Sequence, residues 1–67
     1  MVIGELADKM ANLDQLVISW FDYNMNMDRE IDPDNLPNFL RSNYNTEVKR
    51  IRIANNKLIA IVENPSR

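Results

Sequence analysis

An α+β fold is expected for this chain of 67 residues, on three observations. Apolar residues recur at helical spacing over 3–20, a second helical pattern with an early proline covers 35–43, and two alternating apolar runs meet at Asn55-Asn56. The expected architecture is one long N-terminal helix or two consecutive ones, a short further helix, and a C-terminal antiparallel β-hairpin. These belong to a single domain, 1–67, with a helical part at 2–44 and the hairpin at 47–63.

Ile3, Leu6, Met10, Leu13, Val17 and Trp20 are separated by steps of three and four residues, the repeat that places side chains on one face of an α-helix. Ala7, Leu16 and Phe21 widen the row into the stripe of a helix packed in a core. Asn12, with Gln15 three residues on, suits the N-cap of a second helix starting at Leu13, because an Asn side chain accepts from the first free amides. The segment 16–23, LVISWFDY, has a competing strand reading, being rich in β-branched and aromatic residues. As a strand it would pair with the C-terminal hairpin. Its alternation is poor, since Asp22 joins Leu16, Ile18 and Trp20 on one side and Ser19 interrupts the other. Helix is the favoured reading.

Residues 24–34, NMNMDREIDPD, are polar, acidic and closed by Pro33, which predicts a loop. Asp34 or Asn35 is the expected cap of the next helix, where Pro37 falls in the first turn and its missing donor is not needed. Leu36, Phe39, Leu40 and Tyr44 are its expected buried side.

In the hairpin, Asn tolerates the left-handed conformation that both central positions of a two-residue type I′ turn require. Pairing outward from Asn55-Asn56 sets Ala54 against Lys57, Ile53 against Leu58, Arg52 against Ile59, Ile51 against Ala60 and Arg50 against Ile61. One face then collects Ile51, Ile53, Leu58, Ala60 and Val62 for the core. The other carries Val48, Arg50, Arg52, Ile59 and Ile61. Pro65, which has no amide donor, is expected to end the second strand.

Composition excludes more than it assigns. A chain of this size buries only about 60% of its unfolded surface, so its core is small, and without cysteine neither disulfides nor thiolate metal sites reinforce it. Oligomerisation is the remaining common remedy, and a homodimer through the 3–20 stripe is expected. Histidine is also absent, which removes the commonest general base and transition-metal ligand, just as the absence of cysteine removes the strongest nucleophile. The single glycine, Gly4, cannot form a phosphate-cradling loop. Asp28, Glu30, Asp32 and Asp34 alternate along 28–34, but Pro33 and Phe39 stand where a calcium-binding EF-hand needs Gly and Glu. No catalytic, cofactor-binding or metal site is expected, and the chain reads as non-enzymatic. No apolar run reaches the length of roughly 20 residues that crosses a bilayer, and the start lacks a secretory signal, so a cytoplasmic protein with no membrane partner is expected.

Charge is uneven. Residues 1–43 hold eight acids against three bases, net −5, and residues 44–67 hold five bases against two acids, net +3. The cations are candidates for pairing with acids from the helices, for blunting an outer strand, or for phosphate contact. Helices followed by a basic hairpin resemble a winged-helix arrangement, and a small nucleic-acid-binding protein is the alternative function. An isoelectric point near 4.9 and arginines set among isoleucines favour a protein partner instead. Tyr23, Met25 and Met27 lie beyond the expected helix, where one chain offers little to bury them, and Met and aromatic residues are enriched at protein interfaces. The expected partner-binding set is therefore Tyr23, Met25, Met27, Arg50, Arg52, Ile59 and Ile61. The expected function is that of a small interaction or regulatory protein, of a kind that suits a bacteriophage or mobile-element accessory protein binding a host or viral protein.

Overall fold

The computed structural model describes residues 1–64, and Pro65 with its expected strand-ending role lies outside them. In chain order the elements are α1 (Ile3–Asp8), β1 (Leu16–Asp22), β2 (Met27–Glu30), α2 (Leu36–Ser42), β3 (Val48–Ala54) and β4 (Lys57–Val62), with short 3₁₀ turns at Leu13–Gln15 and Pro33–Asn35. The four strands form one sheet in the order β2-β1-β4-β3, in which β1 runs parallel to β4 and both outer pairs are antiparallel.

The mixed α+β class is as the sequence implies, but the N-terminal half is not helical throughout. Helix α1 ends after six residues. The Asn12 side chain then accepts from the Asp14 amide at 2.9 Å, capping a 3₁₀ turn and not an α-helix. From Leu16 the chain is a strand, because its β-branched and aromatic residues gain more on a pleated surface between two neighbours than on a helix. Both objections to that strand are met by local bonds. Asp22 lies on the same face as Trp20 but ion-pairs with Arg29 (Nε to Oδ2, 3.2 Å), and its Oδ1 accepts from the amides of Asn24 and Met25 to start the turn. Ser19, on the opposite face, donates its hydroxyl to the Arg29 carbonyl at 2.9 Å.

The expected acidic loop over 24–34 is in part strand β2, reached through a tight turn in which Asn26 takes a positive φ of 52°. Helix α2 falls within the expected span, with Leu36 buried and Phe39 and Leu40 packed against the core. Its Asn35 cap makes no side-chain bond; Asp32 caps the preceding 3₁₀ turn instead, accepting from Asp34 at 3.0 Å.

The C-terminal hairpin keeps the deduced register through all five pairs, and Asn55 and Asn56 have φ of 54° and 63°. Beyond Arg50 a bulge intervenes, so that Val48 pairs with Val62 and Lys49 becomes the extra residue. Val48 therefore turns toward the core, not toward the Arg50 face. Lys49 forms an ion pair with Glu63.

The core is one cluster: Ile3, Leu6 and Ala7 of α1 and Leu36 of α2 close over Leu16, Ile18, Ala60 and Val62 of the two central strands. The helices thus cover one face of the sheet, chiefly over β1 and β4. Ile51 and Ile53, expected to be core, are 46% and 79% exposed, because they stand on the edge strand β3 beyond the reach of the helices. The 3–20 stripe does not exist as one continuous face: it is divided between α1, the 3₁₀ turn and β1, and its members Ile3, Leu6, Ala7 and Leu16 are buried inside the chain.

Candidate interaction surface

Register alone assigns the residues of the uncovered face. Ser19 of β1 pairs with Glu30 of β2 and with Ile61 of β4, and Ile61 pairs with Arg50 of β3. Residues paired across strands stand on the same side of a sheet, so Glu30, Ser19, Ile61 and Arg50 form one row across all four strands. A second row runs Val17, Ile59, Arg52, and Asp28 with Phe21 begins a third. None of these residues belongs to the core cluster. The face is apolar in the middle, acidic along β2 and basic along β3.

The charges at its two borders form no ion pairs among the described residues. Among the described residues the side-chain ion pairs are Asp22 with Arg29 and Lys49 with Glu63, and neither Arg50, Arg52, Asp28 nor Glu30 takes part. The expected pairing of the basic strand with acids from the helices is not seen among the described residues: Lys49 pairs with Glu63, just after β4, and the two arginines form no ion pair. Arg50, Arg52, Asp28 and Glu30 are all exposed. Ser19 is 9% exposed, a small residue sunk between larger neighbours on the bare face.

The turn joining β1 to β2 supplies a second feature at the end of the sheet where β4 finishes. Phe21, Tyr23, Met25 and Met27 are 36%, 75%, 58% and 48% exposed. The Phe21 and Tyr23 rings meet edge to face, centroids 4.8 Å apart, which stiffens the base of the turn. A shallow groove beside them is lined by Phe21, Tyr23, Lys49, Ile61 and Glu63.

Of the seven residues expected to bind a partner, Arg50, Arg52, Ile59 and Ile61 share the bare face, and Tyr23 adjoins it through Phe21. Met25 is at the turn, and Met27 is paired with Asp22 on the helix-bearing side. The seven do not form one patch: Tyr23, Met25 and Met27 lie at the β1–β2 turn, whereas Arg52 and Ile59 stand beside Val17 toward the opposite end of the sheet. Sequence reasoning missed Val17, Ser19, Phe21, Asp28 and Glu30, all of which depend on β1 and β2 being strands. The signal that would have found them is the period-two spacing of Leu16, Ile18 and Trp20.

Another depression, at the start of β1, is lined by Leu13, Leu16, Ile31 and Leu36 together with Asp14, Glu30 and Lys57. No described helix is long and apolar enough to cross a membrane. What the geometry defines is a small α+β domain with an open-faced sheet. Compared with protein families, with curated proteins and with solved structures, the chain matches none.

Proposed function

We propose that this is a small non-enzymatic interaction protein that binds a protein partner through the β1–β2 turn and the adjoining edge of the open sheet face. The observation that carries the reading is the exposure of Phe21, Tyr23, Met25 and Met27 within seven consecutive residues of a domain with little apolar material to spare. Aromatic and methionine side chains are the ones that interface centres favour, and methionine adapts its shape to an irregular pocket. Asp22 anchors the turn through two backbone amides and Arg29, so these side chains are held out on a preformed loop and lose little freedom on binding. The non-enzymatic part rests on a composition without histidine or cysteine.

The test is capture from the native host with tagged protein. Wild type should retain one partner in stoichiometric amount, Met25→Asp should lose it, and Asn38→Asp on the exposed side of α2 should not. Equal capture by all three sinks the reading. The nucleic-acid alternative draws on Phe21 and Tyr23 lying beside a face that carries Arg50 and Arg52, since aromatic rings stack on unpaired bases and arginine holds phosphate. Asp28 and Glu30 on that face oppose it. Binding to a single-stranded oligonucleotide that weakens steeply with salt and disappears in Arg50→Glu/Arg52→Glu would favour it over the protein partner.

A further inference from the structure

We propose that the bare sheet face is the docking site for a second copy of this chain, with the twofold axis parallel to the strands and lying between β1 and β4. The inference goes beyond turn-mediated capture and rests on the row Glu30, Ser19, Ile61, Arg50. Read across the sheet, that row is acid, small, large, base. Two sheets packed face to face about such an axis place each row against its own reverse. Glu30 then meets Arg50 of the second copy, and Ile61 lies over the shallow site at Ser19. In the next row Val17 faces Ile59.

Other arrangements of the same surfaces are worse. An axis perpendicular to the strands would stack β2 on β2 and β3 on β3, setting Asp28 and Glu30 against their own copies and Arg50 and Arg52 against theirs. Edge-to-edge pairing is discouraged at both borders, because β2 is short and charged and β3 carries Lys49, Arg50 and Arg52. The face is roughly 20 Å across and roughly 20 Å long, so the area two copies bury falls below the ~1,200 Å² of a stable complex. The dimer is therefore weak and concentration-dependent. An axis along the strands also leaves both β1–β2 turns at one end, so the dimer offers two copies of the Tyr23 and Met25 surface side by side.

Sedimentation equilibrium of the full chain at low salt, from about 10 μM to about 1 mM, should give a reversible monomer–dimer equilibrium. Arg50→Glu/Arg52→Glu and Asp28→Lys/Glu30→Lys should each weaken it by about tenfold or more, and the four changes combined should restore it to within about threefold of wild type. All four positions are exposed, so these variants keep their fold. Ile61→Asp should give a monomer. A wild type that stays monomeric throughout, a dimer indifferent to both reversals, or a combined variant that fails to recover overturns the proposal. A monomer that still captures its partner overturns the dimer and leaves the proposed function standing.

Discussion

The Tyr44 ring lies directly over Gly4, and its hydroxyl donates to Oδ2 of Asp8 at 2.6 Å. Gly4 also donates its amide to the Tyr44 carbonyl at 2.9 Å, so the segment after α2 is tied along the back of α1. The only glycine of the chain serves this approach: a Cβ at position 4 would sit 2.1 Å from Cδ2 of the ring. Tyr44, read from the sequence as part of the buried side of α2, is instead a half-open clamp between the two helices, 42% exposed.

Gly4→Ala therefore sets two effects against each other. Alanine gains about 1 kcal/mol of helix propensity, whereas forcing the ring aside costs about 1 to 3 kcal/mol. The expected net result in urea denaturation is destabilisation in the wild-type background. With Tyr44→Ser the obstruction is gone, and the same Gly4→Ala change should become neutral or stabilising. A double-mutant cycle reads that reversal of sign.

The hydrogen bond to Asp8, with the negative charges of Asp8 and Glu5 nearby, raises the pKa of the Tyr44 phenol above its ordinary value of 10.0. The folded state then holds this proton more tightly than the unfolded chain. Its contribution to stability is complete below about pH 10 and is lost as pH rises through the raised value. Subtracting the alkaline stability profile of Tyr44→Phe from that of wild type should leave a difference that shrinks above pH 10. A difference that is constant across that range contradicts the assignment.

The left-handed turn residues make a local prediction. Asn55→Val places a β-branched residue at a φ of 54° and should cost about 1 to 2 kcal/mol. Asn56→Gly, at a φ of 63°, should be neutral or stabilising by a few tenths of a kcal/mol. Thermal melts of the two variants check both signs.

Two isoleucines separate the observed sheet from the expected packing. Ile18 is fully buried and Ile53 is 79% exposed. Ile18→Thr should cost about 2 kcal/mol or more through lost packing and a buried hydroxyl, enough to threaten so small a domain. Ile53→Thr should stay within about 0.5 kcal/mol. Equal costs would mean that the helices cover β3 after all.

Strand register was legible where short-range rules decide it. A two-residue Asn-Asn turn fixes every pair from Ala54–Lys57 to Arg50–Ile61, and the pairing follows. Pro37 likewise places the first turn of α2. Residues 16–22 were misread because steps of three and four through Leu13, Val17 and Trp20 coexist with steps of two through Leu16, Ile18 and Trp20, and single-chain spacing cannot rank them. The decision comes from β4, whose parallel edge gives β1 a partner 42 residues away in sequence. Once β1 is a strand, the following acidic segment becomes its antiparallel neighbour, and Asp28 and Glu30 move from a loop onto a surface. Ile51 and Ile53 followed the right alternation but lay on an edge strand, and alternation assigns a face without saying whether anything covers it. The bulge at Lys49 has no signal in the residues around it.

Photocrosslinking in the native host checks whether the β1–β2 turn holds a partner. A photoreactive phenylalanine analogue in place of Tyr23, irradiated in the native host, should yield one discrete adduct with a second protein, and that adduct should vanish when Met25→Asp is added. The same probe in place of Asn38, on α2, should yield none. Adducts of equal abundance at both positions, or an adduct at Tyr23 that survives Met25→Asp, would contradict a partner site on the β1–β2 turn.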